Sequence, residues 1–313
     1  MSARCLYCYK ELSESEKDFH GSCSRKFFGS AIAPVLPYTK SEIKELAKQV
    51  IASHTTIAGV QPKLSLNIRK KTNEDSRLTI VGLWGDYILK PQTEKFPFLP
   101  ENEDLTMHLA EIAKIKTVPH SLIKFADGEL CYITKRIDRL KNGEKIAMED
   151  MCQITERLSE DKYKSSYEQI AKMINLYSST AGFDIVNFAE IVLFSWLTGN
   201  ADMHLKNFSL YMPKDEYLMS PCYDLLNSTL ALPSDKEELA LNLNGKKRKL
   251  KKSDFEIAFT NFGMNPKSIE NLFNKMKSIK TDLFDFIALS FLPAKVQKNY
   301  FEILKERYSR FFK

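Results

Sequence analysis

Gly199-Asn200-Ala201-Asp202-Met203-His204-Leu205-Lys206-Asn207 is the stretch on which the reading of this chain turns. It follows Phe188 to Leu197, a segment apolar nearly all round and therefore read as a fully buried helix. A loop delivered by a buried helix is held rigidly, as a reacting group requires. Asp202 is a candidate general base, and Asn207 stands five residues beyond it. Phosphoryl transfer to a hydroxyl needs such a pair: a carboxylate that accepts the hydroxyl proton, and a short amide that holds a metal ion against the phosphates. Asp224, in Ser220-Pro221-Cys222-Tyr223-Asp224-Leu225, comes next and supplies a metal carboxylate. The plainer alternative is a polar turn after a core helix, with Asp202 as a cap.

Upstream residues bear on the choice. Ser53-His54-Thr55-Thr56-Ile57-Ala58-Gly59-Val60-Gln61-Pro62-Lys63 leads into Leu64, Leu66 and Ile68, which alternate with Ser65, Asn67 and Arg69 as in a half-buried strand. A glycine turn feeding a strand is where a kinase covers ATP phosphates with backbone amides. With one glycine it is neither a Walker A nor a G-x-G-x-x-G loop, and an ordinary helix-to-strand turn fits the same residues. Leu78 to Val81 and Tyr87 to Lys90 read as further strands. Lys90, at the end of an apolar run, can reach nucleotide phosphates or snorkel to water as an edge lysine. Glu101-Asn102-Glu103-Asp104 opens a helix carrying Leu105, Leu109, Ile112 and Ala113. Capping of the helix N-terminus is the first reading of these acids, and pairing of Glu103 with Lys90 the second. Strands around Val118 to Ile123 and Leu130 to Thr134 complete a small sheet, which Lys135-Arg136-Ile137-Asp138-Arg139 then leaves.

The chain has 313 residues, room for two lobes at roughly 100–200 residues each. Hydrophobic content of 43% and charged content of 27% are those of a soluble globular protein. The formal charge of +6, from 46 basic against 40 acidic residues, mildly favours anionic ligands such as nucleotides. No apolar run reaches the ~18 residues of a membrane span, and polar residues follow Met1-Ser2-Ala3-Arg4-Cys5 without a secretory pattern. A reducing cytoplasm, with no membrane partner, is the expected home; six cysteines in a chain of this length do not make a disulfide scaffold.

Cys5-Leu6-Tyr7-Cys8 and His20-Gly21-Ser22-Cys23 present four soft ligands that could close a tetrahedral structural zinc site. The alternative is reduced thiols packed under Phe19, Phe27 and Phe28. Cys131, Cys152 and Cys222 read as core residues. Thr39 and Glu42 form a capping-box pattern ahead of a helix striped by Ile43, Leu46, Ala47, Val50 and Ile51.

Beyond residue 140 the pattern turns helical, with Glu149-Asp150-Met151-Cys152-Gln153 as a polar cluster and a helix over Tyr167 to Tyr177. Leu239, Leu241 and Leu243 alternate with Ala240 and Asn242 before Asn244-Gly245, which predicts a hairpin. Its return strand, Lys246 to Lys252, holds six basic residues in seven and could touch nucleic-acid phosphates or stay a solvated arm. Ser253 is expected to cap the next helix. Helices over Ile269 to Ile279, Leu283 to Leu292 and Val296 to Phe312 close the chain.

These pieces together resemble the HipA family of bacterial toxin serine/threonine kinases. The resemblance rests on Ala58-Gly59-Val60-Gln61-Pro62-Lys63, Ile88-Leu89-Lys90, Ile137-Asp138-Arg139, Glu149-Asp150-Met151-Cys152-Gln153, the stretch from Gly199 to Ser209, and Pro221-Cys222-Tyr223-Asp224. With only about fifty residues before the glycine loop, the chain looks like the shorter HipT branch of tripartite systems. There a small protein, HipS, resembles the missing N-terminal piece, and HipB is the DNA-binding partner. The Cys/His cluster is outside the kinase pattern.

The resemblance implies an α+β, two-lobed kinase-like fold. Its parts would be an N-terminal extension over 1–50, a small β-rich lobe over 51–136 and a larger helical lobe over 137–313. Asp202 would be the catalytic base, with Asn207 and Asp224 holding Mg2+. Lys90 would grip the phosphates of ATP, covered by the backbone from Ala58 through Gly59, Val60, Gln61 and Pro62 to Lys63. Lys135, Arg136 and Ile137 would flank adenine, and His204, Leu205, Lys206 and Tyr223 would line the nucleotide side. The family phosphorylates its own glycine loop, which points here to Thr56, with Thr55 and Ser53 as alternatives. The implied activity is transfer of the ATP γ-phosphate to a protein hydroxyl, on an aminoacyl-tRNA synthetase, with arrest of translation. Antitoxin partners resembling HipS and HipB are implied too, and DNA only indirectly through the latter. Competing readings are a secreted effector kinase, a phosphoinositide-type lipid kinase suggested by the Asp-x-His-x-x-Asn loop, and a non-enzymatic ATP-binding scaffold associated with DNA.

Overall fold

The computed structural model describes residues 3–53, 61–69, 76–81, 85–140 and 143–313. The chain divides into two units, Met1–Asp104 with Val118–Gly143, and Leu105–Thr117 with Glu144–Lys313. These boundaries differ from the expected 1–50, 51–136 and 137–313: the cysteine-bearing segment is part of the first unit, and that unit runs to Gly143.

Alternation of apolar and polar residues builds the sheet of the first unit. After α1 (Gly21–Phe28) and α2 (Lys40–Ser53) come β1 (Leu64–Arg69), β2 (Arg77–Ile80) and β3 (Tyr87–Lys90), then α3 (Leu99–Ile112), β4 (His120–Lys124) and β5 (Leu130–Lys135). The five strands order as β2-β1-β3-β5-β4, every neighbouring pair antiparallel. Leu64, Leu66, Leu78, Leu89, Leu122 and Ile133 are buried. Gly85 has no room for a side chain, since a Cβ there would lie 2.6 Å from the Leu66 amide nitrogen. Phe27 and Phe28 of α1 pack on Tyr87 at ring-centroid separations of 5.8 and 6.0 Å. The capping box on α2 forms as expected: Thr39 donates its amide to Glu42 at 2.7 Å and accepts the Glu42 amide at 3.3 Å.

The second unit holds β6 (Met148–Asp150), α4 (Met151–Ile154), α5 (Tyr167–Tyr177), α6 (Ala181–Leu197), β7 (Ser209–Tyr211), β8 (Leu218–Met219), α7 (Ser228–Ala231), α8 (Lys252–Asn261), α9 (Pro266–Ser278), α10 (Lys280–Ile287) and α11 (Ala294–Phe311). A short antiparallel sheet orders as β6-β7-β8. Every residue from Phe188 to Leu197 on α6 is buried, as its all-round apolar sequence requires. Trp196, Phe255, Phe259, Phe273 and Phe311 make an aromatic core, with Trp196 5.3 Å from Phe255 and Phe273 5.0 Å from Phe311. Cys131, Cys152 and Cys222 are buried, as expected.

The hairpin at 239–252 needs correction. Asn244 and Gly245 do make the tight turn, at φ 48° and 72°, but the flanking residues form a single bridge between Leu243 and Lys246 rather than two strands. Leu239, Leu241, Leu243 and Leu250 are all buried, so their side chains anchor an irregular segment in the core instead of one face of a ladder. Lys246 pairs with Asp254 at 2.7 Å and Lys247 with Glu237 at 3.5 Å, so part of the basic run is spent internally. Ser253 lies inside α8, whose N-cap is Lys251; Asp254 takes the capping role by accepting the Lys251 amide at 2.9 Å. Among the described residues no helix is long and apolar enough to cross a membrane.

Candidate active site

The loop after α6 is shaped by a glycine. Gly199 has φ +74°, and a Cβ there would sit 2.9 Å from Ile303 Cγ2 and 2.9 Å from Asn227 Oδ1. Only glycine meets both conditions. The turn is then laced to α7: the Gly199 carbonyl accepts from the Thr229 amide and hydroxyl, each at 3.0 Å, and the Ala201 amide donates to Ser228 Oγ at 2.7 Å. Asn200 Oδ1 accepts the Asp202 amide at 3.0 Å. Asp202 is therefore fixed from its backbone outward.

Asn207 closes the loop on Asp202. Its Nδ2 donates to the Asp202 carbonyl at 3.0 Å, and the His204 amide donates to the same oxygen at 2.9 Å. With the amide nitrogen so committed, Oδ1 is the atom that Asn207 offers elsewhere, a hard oxygen of the kind magnesium takes. On the carboxylate of Asp202, Oδ1 accepts the Tyr163 hydroxyl at 2.6 Å. The Tyr163 ring stands edge-on to His204 at 4.9 Å. The segment bearing Tyr163 also touches the loop through the Lys162 carbonyl, which accepts the Leu205 amide at 3.2 Å.

Asp224 is brought to the same place by its neighbour. The Tyr223 hydroxyl donates to the Lys206 carbonyl at 3.1 Å and lies 2.6 Å from Ser209 Oγ, tying the second acidic segment to the loop. Asp224 itself adopts a left-handed backbone, φ 58°, which a short acid tolerates better than a bulky residue. The charges of Asp202 and Asp224 both act on His204. Asp202 and Asn207 are thus bound together within the loop, and Tyr223 ties the segment bearing Asp224 to it; oxygens of these residue types suit a divalent cation. Lys206, expected to line the nucleotide side, pairs with Asp150 at 3.0 Å and donates to Ser159 at 3.3 Å. Asp150 also caps α4, through a reciprocal box with Gln153.

His204 is buried, and burial pushes its pKa down to about 4 against the upward pull of Asp202 and Asp224. The imidazole is therefore neutral in the folded protein at neutral pH. The unfolded chain binds this proton near pH 6.5 and the folded chain near 4, so between those values the unfolded state holds more protons. Stability is full above pH 6.5 and falls as pH drops toward 4, by on the order of 2–3 kcal/mol from this residue. Chemical denaturation of His204→Gln and the parent chain between pH 7 and 4 checks this: the parent should lose more stability than the variant over that range.

In the first unit, Lys90 reaches Glu103 at 2.5 Å, and both are buried, at 4% and 0% exposure. This overturns capping as the first reading of Glu103. The helix α3 starts at Leu99, which puts Glu101 in the first turn and Glu103 beyond it, on the buried side. Lys90 also lies over the Tyr132 ring, 5.3 Å from its centroid. Gln61 donates to the Pro91 carbonyl at 2.8 Å, next to that lysine in the chain. Lys135 ends β5, exposed; Arg136 and Arg139 both pair with Asp138, at 2.6 and 2.8 Å, with Ile137 half-buried between them. Pro62 and Lys63 lead into β1. Thr55, Thr56, Ala58, Gly59 and Val60 lie outside the described residues, and Ser53 is the last residue of α2. Tyr163 carried no signal in the sequence: Asp161-Lys162-Tyr163-Lys164 has the composition of a solvated loop, and nothing in its spacing points to Asp202.

The chain is 29% identical over 288 residues to a Haemophilus influenzae protein named "Putative kinase", covering 83% of this chain and 82% of that protein. It is 30% identical over 195 residues to the serine/threonine-protein kinase toxin HipA of Shewanella oneidensis, covering 55% of this chain and 43% of the toxin. It thus spans less than half of the toxin's length. Among solved structures, HipA of Shewanella oneidensis, from a complex with HipB and operator DNA, matches with a TM-score of 0.68 at 20% identity, covering 96% of this chain and 80% of that one. The Helicobacter pylori proinflammatory kinase CtkA matches with a TM-score of 0.55 at 14% identity, covering 79% of this chain and 92% of that one. The fold is accordingly α+β and kinase-like. The HipA-like C-terminal domain matches residues 55–283, most of the chain, and the protein belongs to the HipA family.

Proposed function

We propose that this protein is a serine/threonine protein kinase that transfers the γ-phosphate of ATP to a protein hydroxyl. What supports the reading is the loop itself: Asn207 Nδ2 is bound to the Asp202 carbonyl, which leaves its Oδ1 to offer, and Tyr223 ties the segment bearing Asp224 to the same loop. Asp202 accepts the proton of the acceptor hydroxyl as that oxygen attacks phosphorus and the bond to the ADP leaving group breaks. Tyr163, donating to Oδ1, fixes the direction of the carboxylate and leaves Oδ2 for the acceptor. Asn207 and Asp224 would hold Mg2+, which would supply charge neutralisation at the phosphates. Lys90, held by Glu103, is assigned to the phosphates and the backbone from Ala58 to Lys63 to their cover. Neutral His204, buried within the loop, adds no charge to it.

The physiological role in this reading is that of a toxin in a toxin–antitoxin system, of the HipT type, acting in the cytoplasm. An aminoacyl-tRNA synthetase is the proposed substrate, and proteins resembling HipS and HipB are the proposed antitoxin partners. Self-phosphorylation at Thr56 places about −1.5 to −2 charges on the glycine loop and switches the enzyme off. The acceptor class is tested with γ-labelled ATP and Mg2+, offering a bacterial lysate in one reaction and phosphoinositide vesicles in another. Label in phosphoserine or phosphothreonine of lysate proteins is expected. Label confined to lipid rejects the protein-kinase reading.

A further inference from the structure

In the first unit, the N-terminal segment gathers four ligand atoms. Cys5, Cys8, His20 and Cys23 each offer one, and all lie within 4.8 Å of one another. From these we propose that Cys5, Cys8, His20 and Cys23 bind a structural zinc ion, a role independent of phosphoryl transfer.

The distances carry the proposal. A tetrahedral zinc with bonds of about 2.3 Å to sulfur and about 2.0 Å to nitrogen sets sulfur and nitrogen about 3.5 Å apart. Cys8 Sγ lies 3.4 Å and Cys23 Sγ 3.7 Å from His20 Nδ1. The ring is oriented for ligation. His20 Nε2 lies 2.9 Å from the Glu11 carbonyl, which can only accept, so the proton sits on Nε2 and the Nδ1 lone pair faces the sulfurs. The His20 amide lies 3.5 Å from Cys5 Sγ and donates to it, the kind of contact that supports a thiolate.

The local backbone explains how the four meet. Cys5 to Cys8 is a tight turn in which the Tyr9 amide returns to the Cys5 carbonyl at 2.9 Å, and Tyr9 takes φ 64° to complete it. A tyrosine held there is strained, and the turn puts both sulfurs on one side. His20 is the N-cap of α1 and makes no side-chain capping bond; Cys23 is three residues on, in the first helical turn. Three thiolates and a neutral imidazole suit Zn2+ rather than a hard cation. On binding, three thiol protons leave to solvent and no electron moves.

The site buckles the segment to a sheet edge. Strand β4 is an edge strand, and the Leu6 carbonyl, inside the Cys5–Cys8 turn, accepts from the Leu122 amide at 3.3 Å and from Ser121 Oγ at 3.2 Å. The Tyr9 hydroxyl donates to Asp104 at 2.7 Å. Zinc would therefore fix the cover over β4.

The test is metal analysis of the full chain, untagged and purified without chelator from zinc-supplemented culture. One zinc per chain is expected, with loss of it in Cys8→Ser and Cys23→Ser. Because either variant could unfold, the parent chain is also stripped and reloaded with Co2+, where intense visible bands and sulfur-to-cobalt charge transfer report a tetrahedral, thiolate-rich site. A metal-free parent that takes up no Co2+ in this geometry overturns the proposal, as does a zinc content unchanged in both serine variants. Neither result bears on phosphoryl transfer, which is read separately.

Discussion

Asp202→Asn lowers the rate of phosphoryl transfer by about 10²–10⁴-fold, the range for loss of a general base, or roughly 3–5 kcal/mol of barrier. The substitution is nearly isosteric. An asparagine Oδ1 can still accept the Tyr163 hydroxyl, and the backbone contacts to Asn200, His204 and Asn207 do not involve the side chain. The variant should therefore fold as the parent does, with stability within about 0.5 kcal/mol. Since a base acts on the acceptor proton in the transition state, kcat and kcat/KM fall together while ATP affinity holds. Stopped-flow or quench-flow measurement of transfer, with ATP binding measured in parallel, separates the two. A variant that transfers phosphate at the parent rate removes Asp202 from the chemistry.

Asp224→Asn is expected to lower transfer by about 10²–10³-fold, the scale on which loss of one charge-stabilising group acts. Asparagine is the right replacement because position 224 sits at φ 58°, and asparagine adopts that region more readily than alanine. The Tyr223 bonds to Lys206 and Ser209 stay in place, so the segment keeps its anchor. The change removes a negative charge and leaves a weaker oxygen ligand for a hard cation. Its signature is a higher Mg2+ concentration at half-maximal rate, with partial rescue as Mg2+ is raised. An unchanged Mg2+ dependence takes Asp224 out of the metal site.

Much of this was legible in the residues alone because the signals were local or periodic. Leu64, Leu66 and Ile68 alternate, and β1 forms there; Phe188 to Leu197 is apolar on every side, and α6 is buried there. The contact between Asp202 and Asn207 was within reach of the sequence because a loop bonding to itself keeps its members close in sequence. What failed depended on distant partners. The hairpin pattern at 239–252 was overridden when Leu239, Leu241, Leu243 and Leu250 were all drawn into the core, a tertiary effect that strand alternation cannot report. Glu103 looked like a helix cap, yet its carboxylate is spent on Lys90, thirteen residues earlier and on another element. Tyr163 touches Asp202 across 39 residues, through a loop of ordinary polar composition. The four N-terminal ligands were visible as residue types, but their approach within 4.8 Å was not.

Phosphoryl transfer by this chain, with Asp202 as the base, can be read on the protein alone. Intact-mass spectrometry of the parent and Asp202→Asn, each freed of phosphate and then incubated with ATP and Mg2+, tests it without knowledge of the cellular substrate. The parent is expected to gain the mass of a phosphate, mapped by fragmentation to Thr56, and the variant to gain none. A parent that stays unmodified, or a variant phosphorylated as fast as the parent, contradicts this.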